Sequence, residues 1–83
     1  MSARIVPFPV ARRERHIRRT AAYMVTVGHN HAEGHLREQL RRLERGLVKR
    51  GVEPEVVAAE CAAYELAIRA ETSRLLLSSG GAA

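Results

Sequence analysis

Apolar residues recur at helical spacing in three stretches of the chain, so that each stretch gathers them along one side of a helix. We predict helices over about residues 10–27, 31–50 and 54–76. The apolar stripe of the first helix consists of Val10, Ile17, Ala21 and Met24. The stripe of the second helix, which is close to a heptad repeat, consists of Ala32, Leu36, Leu40, Leu43 and Leu47.

Residues that favour helix ends lie between these stretches. Gly28 is expected to end the first helix. Asn30 is a good N-cap for the second, and Glu33 three residues later completes a capping-box pattern. Gly51 suits the position just after the second helix, and Pro54 the first position of the third. The short connection between them predicts an antiparallel hairpin.

The two ends of the chain are predicted to lie outside the helices. Residues 1–9 form an extended arm, because Pro7 and Pro9 restrict the backbone around Phe8. Residues 77–83 form a flexible tail rich in Ser and Gly. The predicted fold is therefore all-α, either a small three-helix bundle or a helical hairpin with an N-terminal helix, in one domain over residues 10–76.

The third helix differs from the others because it carries apolar residues on two sides. One seam consists of Val57, Cys61, Tyr64, Ile68 and Leu75. The second seam consists of Val56, Ala59, Ala63, Leu66 and Ala70. A helix with two apolar sides requires two neighbours, so either it packs against both other helices or one seam is a dimer interface. We predict that the second seam binds a protein partner, most simply a second copy in a homodimer.

Phe8 in the arm has two interpretations. It either folds back onto the small core or docks on another protein, and it is therefore grouped with the predicted partner-binding residues.

The composition argues against an enzyme. The chain has 83 residues, one Cys and no Asp, and its Gly residues form no phosphate-binding loop. A helical chain of this length leaves little room for a substrate pocket. We expect no catalytic activity, no small-molecule substrate and no cofactor, with Cys61 a small core residue carrying a free thiol.

Positive charge is concentrated in the first two helices. The net charge is +5, and Arg13 is a plausible partner for Glu60 or Glu71 of the third helix. The candidate basic residues are Arg12, Arg15 and Arg19 on the first helix and Arg41, Arg42, Arg45 and Lys49 on the second. They are either an ordinary solvated surface or a sequence-independent site for nucleic-acid phosphates, which Arg binds well.

The second helix begins with several histidines. His31 and His35 lie four residues apart, as two ligands of one metal often do. A third ligand would have to be His29, Glu33 or Glu38. We predict no metal site and interpret the histidines as a polar helix start.

The sequence predicts a soluble, cytoplasmic protein without a membrane contact. Its apolar runs are only a few residues long, far short of a membrane span. The Arg-rich start superficially suits an organellar transit peptide, but a first helix reached through a proline arm explains it better.

Short segments along most of the chain carry a resemblance. They are residues 5–13 (IVPFPVARR), His35-Leu36 with Gln39-Leu40, Arg50-Gly51-Val52, and Ala67-Ile68-Arg69-Ala70-Glu71. Over about residues 5–72 the chain thus resembles a family of short Arg-rich bacterial proteins classed as a domain of unknown function. The resemblance implies a small cytoplasmic helical protein and no particular activity. We therefore expect a non-enzymatic accessory or regulatory protein that binds another protein, or alternatively a nucleic-acid-associated protein.

Overall fold

The described part of the chain consists of three α-helices. The computed structural model describes the backbone of residues 10–81 and the side chains of residues 13–78. Helix α1 spans Val10–Met24, α2 spans His29–Lys49 and α3 spans Pro54–Gly81. The predicted N-terminal arm, with Phe8, lies outside the described residues.

The helices form an up-down-up bundle, which confirms the all-α prediction. Arg13 near the start of α1 binds Glu60, and His16 one turn later contacts Tyr64, so α1 runs in the same direction as α3. Glu33 near the start of α2 binds Arg69 far along α3, so α2 runs in the opposite direction. The predicted α2–α3 hairpin and the predicted Arg13–Glu60 pair are both present.

The core lies between the three helices and uses the predicted stripes. Its central cluster consists of Met24, Ala32, Leu36, Tyr64 and Ile68. Leu47 and Val57 are also buried, near the α2–α3 turn. Cys61, which was predicted as a core residue, is only half-buried at the edge of this core.

The turn between α2 and α3 follows the predicted chemistry. Gly51 has a φ of +79°, a left-handed conformation that Gly adopts without steric cost. Its N–H donates to the Val48 carbonyl at 2.9 Å, and the Val52 N–H donates to the Leu47 carbonyl at 3.1 Å. This pair of bonds is the Schellman motif, which satisfies the last carbonyls of α2. Pro54 begins α3, as predicted.

The turn between α1 and α2 differs from the prediction. Helix α1 ends at Met24 rather than near residue 27, and the Thr26 hydroxyl donates to the Tyr23 carbonyl at 2.7 Å. Helix α2 begins at His29, with Gly28 as its N-cap and no side-chain cap. The predicted capping box of Asn30 and Glu33 is therefore wrong. The Glu33 carboxylate binds a guanidinium instead, and such charge-assisted pairs are stronger than neutral hydrogen bonds.

Helix α3 is longer than predicted. It continues to Gly81, so residues 77–81, predicted as flexible tail, are helical. Nothing after Leu75 breaks the helix, because Ser and Gly weaken a helix without stopping it as Pro does. At 1.5 Å per residue the 28 residues of α3 extend about 42 Å, against about 32 Å for the 21 residues of α2. The C-terminal turns of α3 therefore project past the start of α2.

Candidate functional site

One side of α3 is uncovered along nearly its whole length. At 100° per residue this side lies opposite the buried residues Val57, Tyr64 and Ile68. We call it the outer face, and every one of its residues is exposed. It consists of Val56, Ala59, Ala63, Leu66, Ala70, Ser73 and Leu77.

The outer face has the spacing of a coiled-coil seam. Its residues follow one another at alternating intervals of three and four from Val56 to Leu77. This pattern, maintained over three heptads, is typical of a helix that packs lengthwise against another helix. Leu66 and Leu77 retain 71% and 75% of their accessible surface, so the largest side chains of the seam are in contact with solvent.

No charged residue interrupts the outer face, although 28% of the chain is charged. Charged residues near the face lie at its edges, where Glu55 and Glu60 are in its first half and Arg69 and Arg74 in its second. Apolar residues therefore lie on two opposite sides of α3, but the other two helices cover only one of these sides. A helix with two apolar sides normally packs against a neighbour on each.

All five described residues of the predicted partner-binding set lie on the outer face. The sixth, Phe8, lies outside the described residues. The prediction did not include Ser73, a polar residue within the predicted helix, or Leu77, which lay in the segment interpreted as a flexible tail. The same three-and-four spacing continued past Ala70 would have identified both residues.

Ion pairs hold Arg69 and Arg74 at the edges of this face. The Arg69 guanidinium binds both Glu33 oxygens, at 3.0 and 2.8 Å, and its Nε binds Glu65 at 3.0 Å. The hydrogen bond from Arg69 lowers the pKa of Glu33. Arg74 binds Glu71, at 3.1 and 2.5 Å, and its hydrogen bond lowers the pKa of Glu71. These contacts fix long side chains along the boundary of the apolar strip.

The predicted basic residues of α2 are partly neutralised. Arg41, Arg42 and Arg45 gather around Glu38, at 2.7, 3.3 and 3.9 Å. The hydrogen bond from Arg42, followed by the nearby charges of Arg41 and Arg42, lowers the pKa of Glu38 despite some desolvation. Lys49 is exposed at the end of α2. The α2 group therefore carries one carboxylate among its cations.

The basic residues of α1 form a separate group. Arg15 and Arg19 are exposed, and no acidic side chain pairs with either within residues 13–78. The Arg12 side chain is outside the described part of the chain.

The histidines at the start of α2 pack against an aromatic ring. The Tyr23 ring lies 4.5 Å from the His35 ring and 6.4 Å from the His31 ring, centre to centre. Glu33 and Glu38, the acidic candidates for a third metal ligand, both bind arginines. Among the described residues no group of three or more His, Cys, Asp or Glu is arranged to hold a metal ion.

Two open grooves flank the bundle. One, of about 380 Å³, is lined by His16, Arg42 and Tyr64 among others, and the Tyr64 hydroxyl lies 3.2 Å from His16 Nδ1. The other, of about 460 Å³, lies between α2 and α3 and includes Cys61. Burial, assisted by the charges of Glu44 and Glu60, raises the pKa of the Cys61 thiol. An activated nucleophile requires the opposite shift.

The fold and this surface define a small three-helix bundle whose longest helix leaves an apolar seam uncovered. The chain belongs to the family of unknown function DUF6074, whose model matches residues 1–83. The predicted resemblance to a family of unknown function is thereby confirmed, and it extends over the whole chain. No curated protein and no solved structure matches the chain significantly. Among the described helices none is long and apolar enough to cross a membrane.

Proposed function

We propose that this protein is a non-enzymatic accessory or regulatory protein that acts by binding a protein partner along the outer face of α3. One observation carries the proposal: α3 carries apolar residues on two opposite sides, yet the bundle covers only one of them. The uncharged strip from Val56 to Ser73 is long enough to accept a partner helix. Its three alanines, Ala59, Ala63 and Ala70, allow such a helix to approach closely.

The exposed leucines supply the driving force for binding. Burying a fully exposed Leu side chain yields about 1.5–3 kcal/mol. Leu66 and Leu77, at 71% and 75% exposure, would contribute most of that amount each. The ion pairs at the edges of the face need not be broken, because Arg69 and Arg74 point their charges at Glu33 and Glu71. A partner helix can therefore bury the strip without stranding a charge.

Photo-crosslinking in the cells that produce the protein tests this function. A benzophenone amino acid replaces Leu66 on the outer face, or Arg15 on the exposed side of α1 as the matched control. We expect an adduct from position 66 and none from position 15. No adduct from position 66, or equal adducts from both positions, would contradict the proposal.

A second candidate function is sequence-independent binding of nucleic-acid phosphates. The observation that favours it is that Arg15 and Arg19 are exposed without an acidic partner among the described side chains. If all seven predicted basic residues contact phosphate, a plot of the logarithm of the DNA-binding constant against the logarithm of salt concentration should have a slope of about −6 on duplex DNA. A shallow slope, or binding that depends strongly on sequence, would contradict this candidate.

The location we propose is the cytoplasm. The support is the single unpaired Cys61, because cysteines of cytoplasmic proteins are ordinarily reduced thiols. Fractionation of producing cells with an antibody against the protein tests the location.

A further inference from the structure

We infer that the partner on the outer face is a second copy of this chain, with the two α3 helices packed antiparallel around a two-fold axis. This inference rests on the proposed function and names its partner. A two-fold interface uses the same patch on both subunits, so the patch must be complementary to itself. The outer face meets that requirement in shape and in charge, but only in the antiparallel orientation.

The shape argument follows from the order of large and small residues. Consider an antiparallel pair of α3 helices centred between Ala63 and Leu66. Two residues from different copies lie at the same height along the helix axis when their numbers add up to the same total as 63 and 66. The facing pairs are then Val56 with Ser73, Ala59 with Ala70, and Ala63 with Leu66. Val56 and Leu66 each face a smaller side chain, Ala59 faces Ala70, and Leu77 extends beyond the start of the partner's α3. No two large side chains face each other, so the two helices can pack closely along the contact. A parallel pair would set Leu66 against Leu66 between layers of facing alanines, which leaves gaps.

The charges at the edges favour the same orientation. In a parallel pair the flanking positions bring Glu55 of one copy beside Glu60 of the other, and Arg69 beside Arg74. Both combinations repel, and the two-fold symmetry repeats each. In the antiparallel pair Glu55 and Glu60 in the first half of each helix lie alongside the second half of its partner, which carries Arg69 and Arg74. Glu53, just before α3, then lies within about one turn of the partner's Arg74. The like charges that a parallel pair brings together are thereby separated.

Disulfide trapping tests the orientation. Cys61 is first replaced by Ala, and single cysteines are then placed as Ala59→Cys or Ala70→Cys in separate full-length chains. Antiparallel packing puts position 59 of one copy opposite position 70 of the other. It separates the two copies of position 59 by about 16 Å along the axis, too far for a disulfide.

On mild oxidation we therefore expect a cross-linked dimer from the mixture of the two variants and little from Ala59→Cys alone. A dimer from Ala59→Cys alone would show parallel packing and overturn the inference. No cross-linked dimer in any mixture of chains with unchanged helical circular dichroism would overturn it as well.

The mass of the photo-adduct at position 66 separates this inference from the function on which it rests. An adduct of twice the chain mass supports both the proposed function and the inference that the partner is a second copy. An adduct of any other mass supports a protein partner and overturns the second copy. The absence of an adduct overturns both.

Discussion

Arg69 of α3 donates to Glu33 of α2 through its two terminal guanidinium nitrogens, with Nη1–Oε2 at 3.0 Å and Nη2–Oε1 at 2.8 Å. Its Nε also binds Glu65, one turn earlier on the same helix. A planar guanidinium held in this way fixes the start of α2 against α3, which a flexible ammonium would do less well. Because α2 begins one turn before Glu33, α3 continues past the start of α2 about one turn after Arg69.

The Arg69–Glu33 pair predicts that stability falls in acid. Because Arg69 lowers the pKa of Glu33, the pair contributes fully above the unfolded value of about 4.5 and is lost as pH falls through the lower folded pKa. Thermal melts give the melting temperature at pH 7 and at pH 3. The difference between these two melting temperatures should be smaller for Glu33→Gln than for the wild type. Glu44→Gln, which removes an exposed carboxylate without an ion pair among the described residues, should behave like the wild type. Equal pH dependence in Glu33→Gln and wild type would refute this role.

The core predicts a large cost for truncating Leu36. This side chain is 1% exposed in the central cluster, so Leu36→Ala should lower the free energy of unfolding by about 2–5 kcal/mol in urea denaturation. The exposed Val48 lies on the same helix, and Val48→Ala should change the free energy of unfolding by less than about 0.5 kcal/mol. Similar effects at the two positions would mean that the core is misplaced.

Two glycines of the α2 region should respond oppositely to the same substitution. Gly51 has a φ of +79°, so Gly51→Ala should cost about 1–2 kcal/mol. Gly34 lies inside α2 with open space where a Cβ would be added, so Gly34→Ala should stabilise the protein by about 0.5–1 kcal/mol. Chemical denaturation of both variants measures the sign, and stabilisation by Gly51→Ala would contradict the turn described.

Tyr64 predicts a loss of stability in alkali. Burial raises the pKa of its hydroxyl, although a hydrogen bond with Thr20 acts in the opposite direction. The unfolded state therefore ionises first, near pH 10, and stability declines as pH rises from there through the folded pKa. Tyr64→Phe should cost about 0.5–1.5 kcal/mol at pH 7 and reduce this alkaline decline. Tyr23→Phe, at an exposed tyrosine, serves as control, and an unchanged decline in Tyr64→Phe would assign it to another group.

The helices and most of the core follow from the sequence because apolar spacing and turn residues act locally. Leu36, Leu47, Val57 and Ile68 are buried where their stripes predict, and Gly51 forms the turn it suggests.

The differences arise where a tertiary contact competes with a local one. Glu33 forms an ion pair with Arg69, 36 residues away, rather than a capping box. Val27 packs against the core from a turn, so its apolar character did not indicate a longer helix. The sequence left two alternatives for the seams of α3: both are covered by the other helices, or one is a dimer interface. It could not decide between them, since the sequence alone does not show which side of α3 the other helices cover.

The concentration dependence of the mass in solution tests most directly the central claim that two copies of this chain associate through the outer face of α3. Sedimentation equilibrium of the full chain should give twice 9.2 kDa. Ala63→Glu places a charge in the middle of the seam and should give the single-chain mass with unchanged helical circular dichroism. Ala22→Glu, at an exposed alanine of α1, should leave the dimer intact. A wild-type mass of 9.2 kDa at every concentration, or a dimer that tolerates Ala63→Glu, would contradict the account.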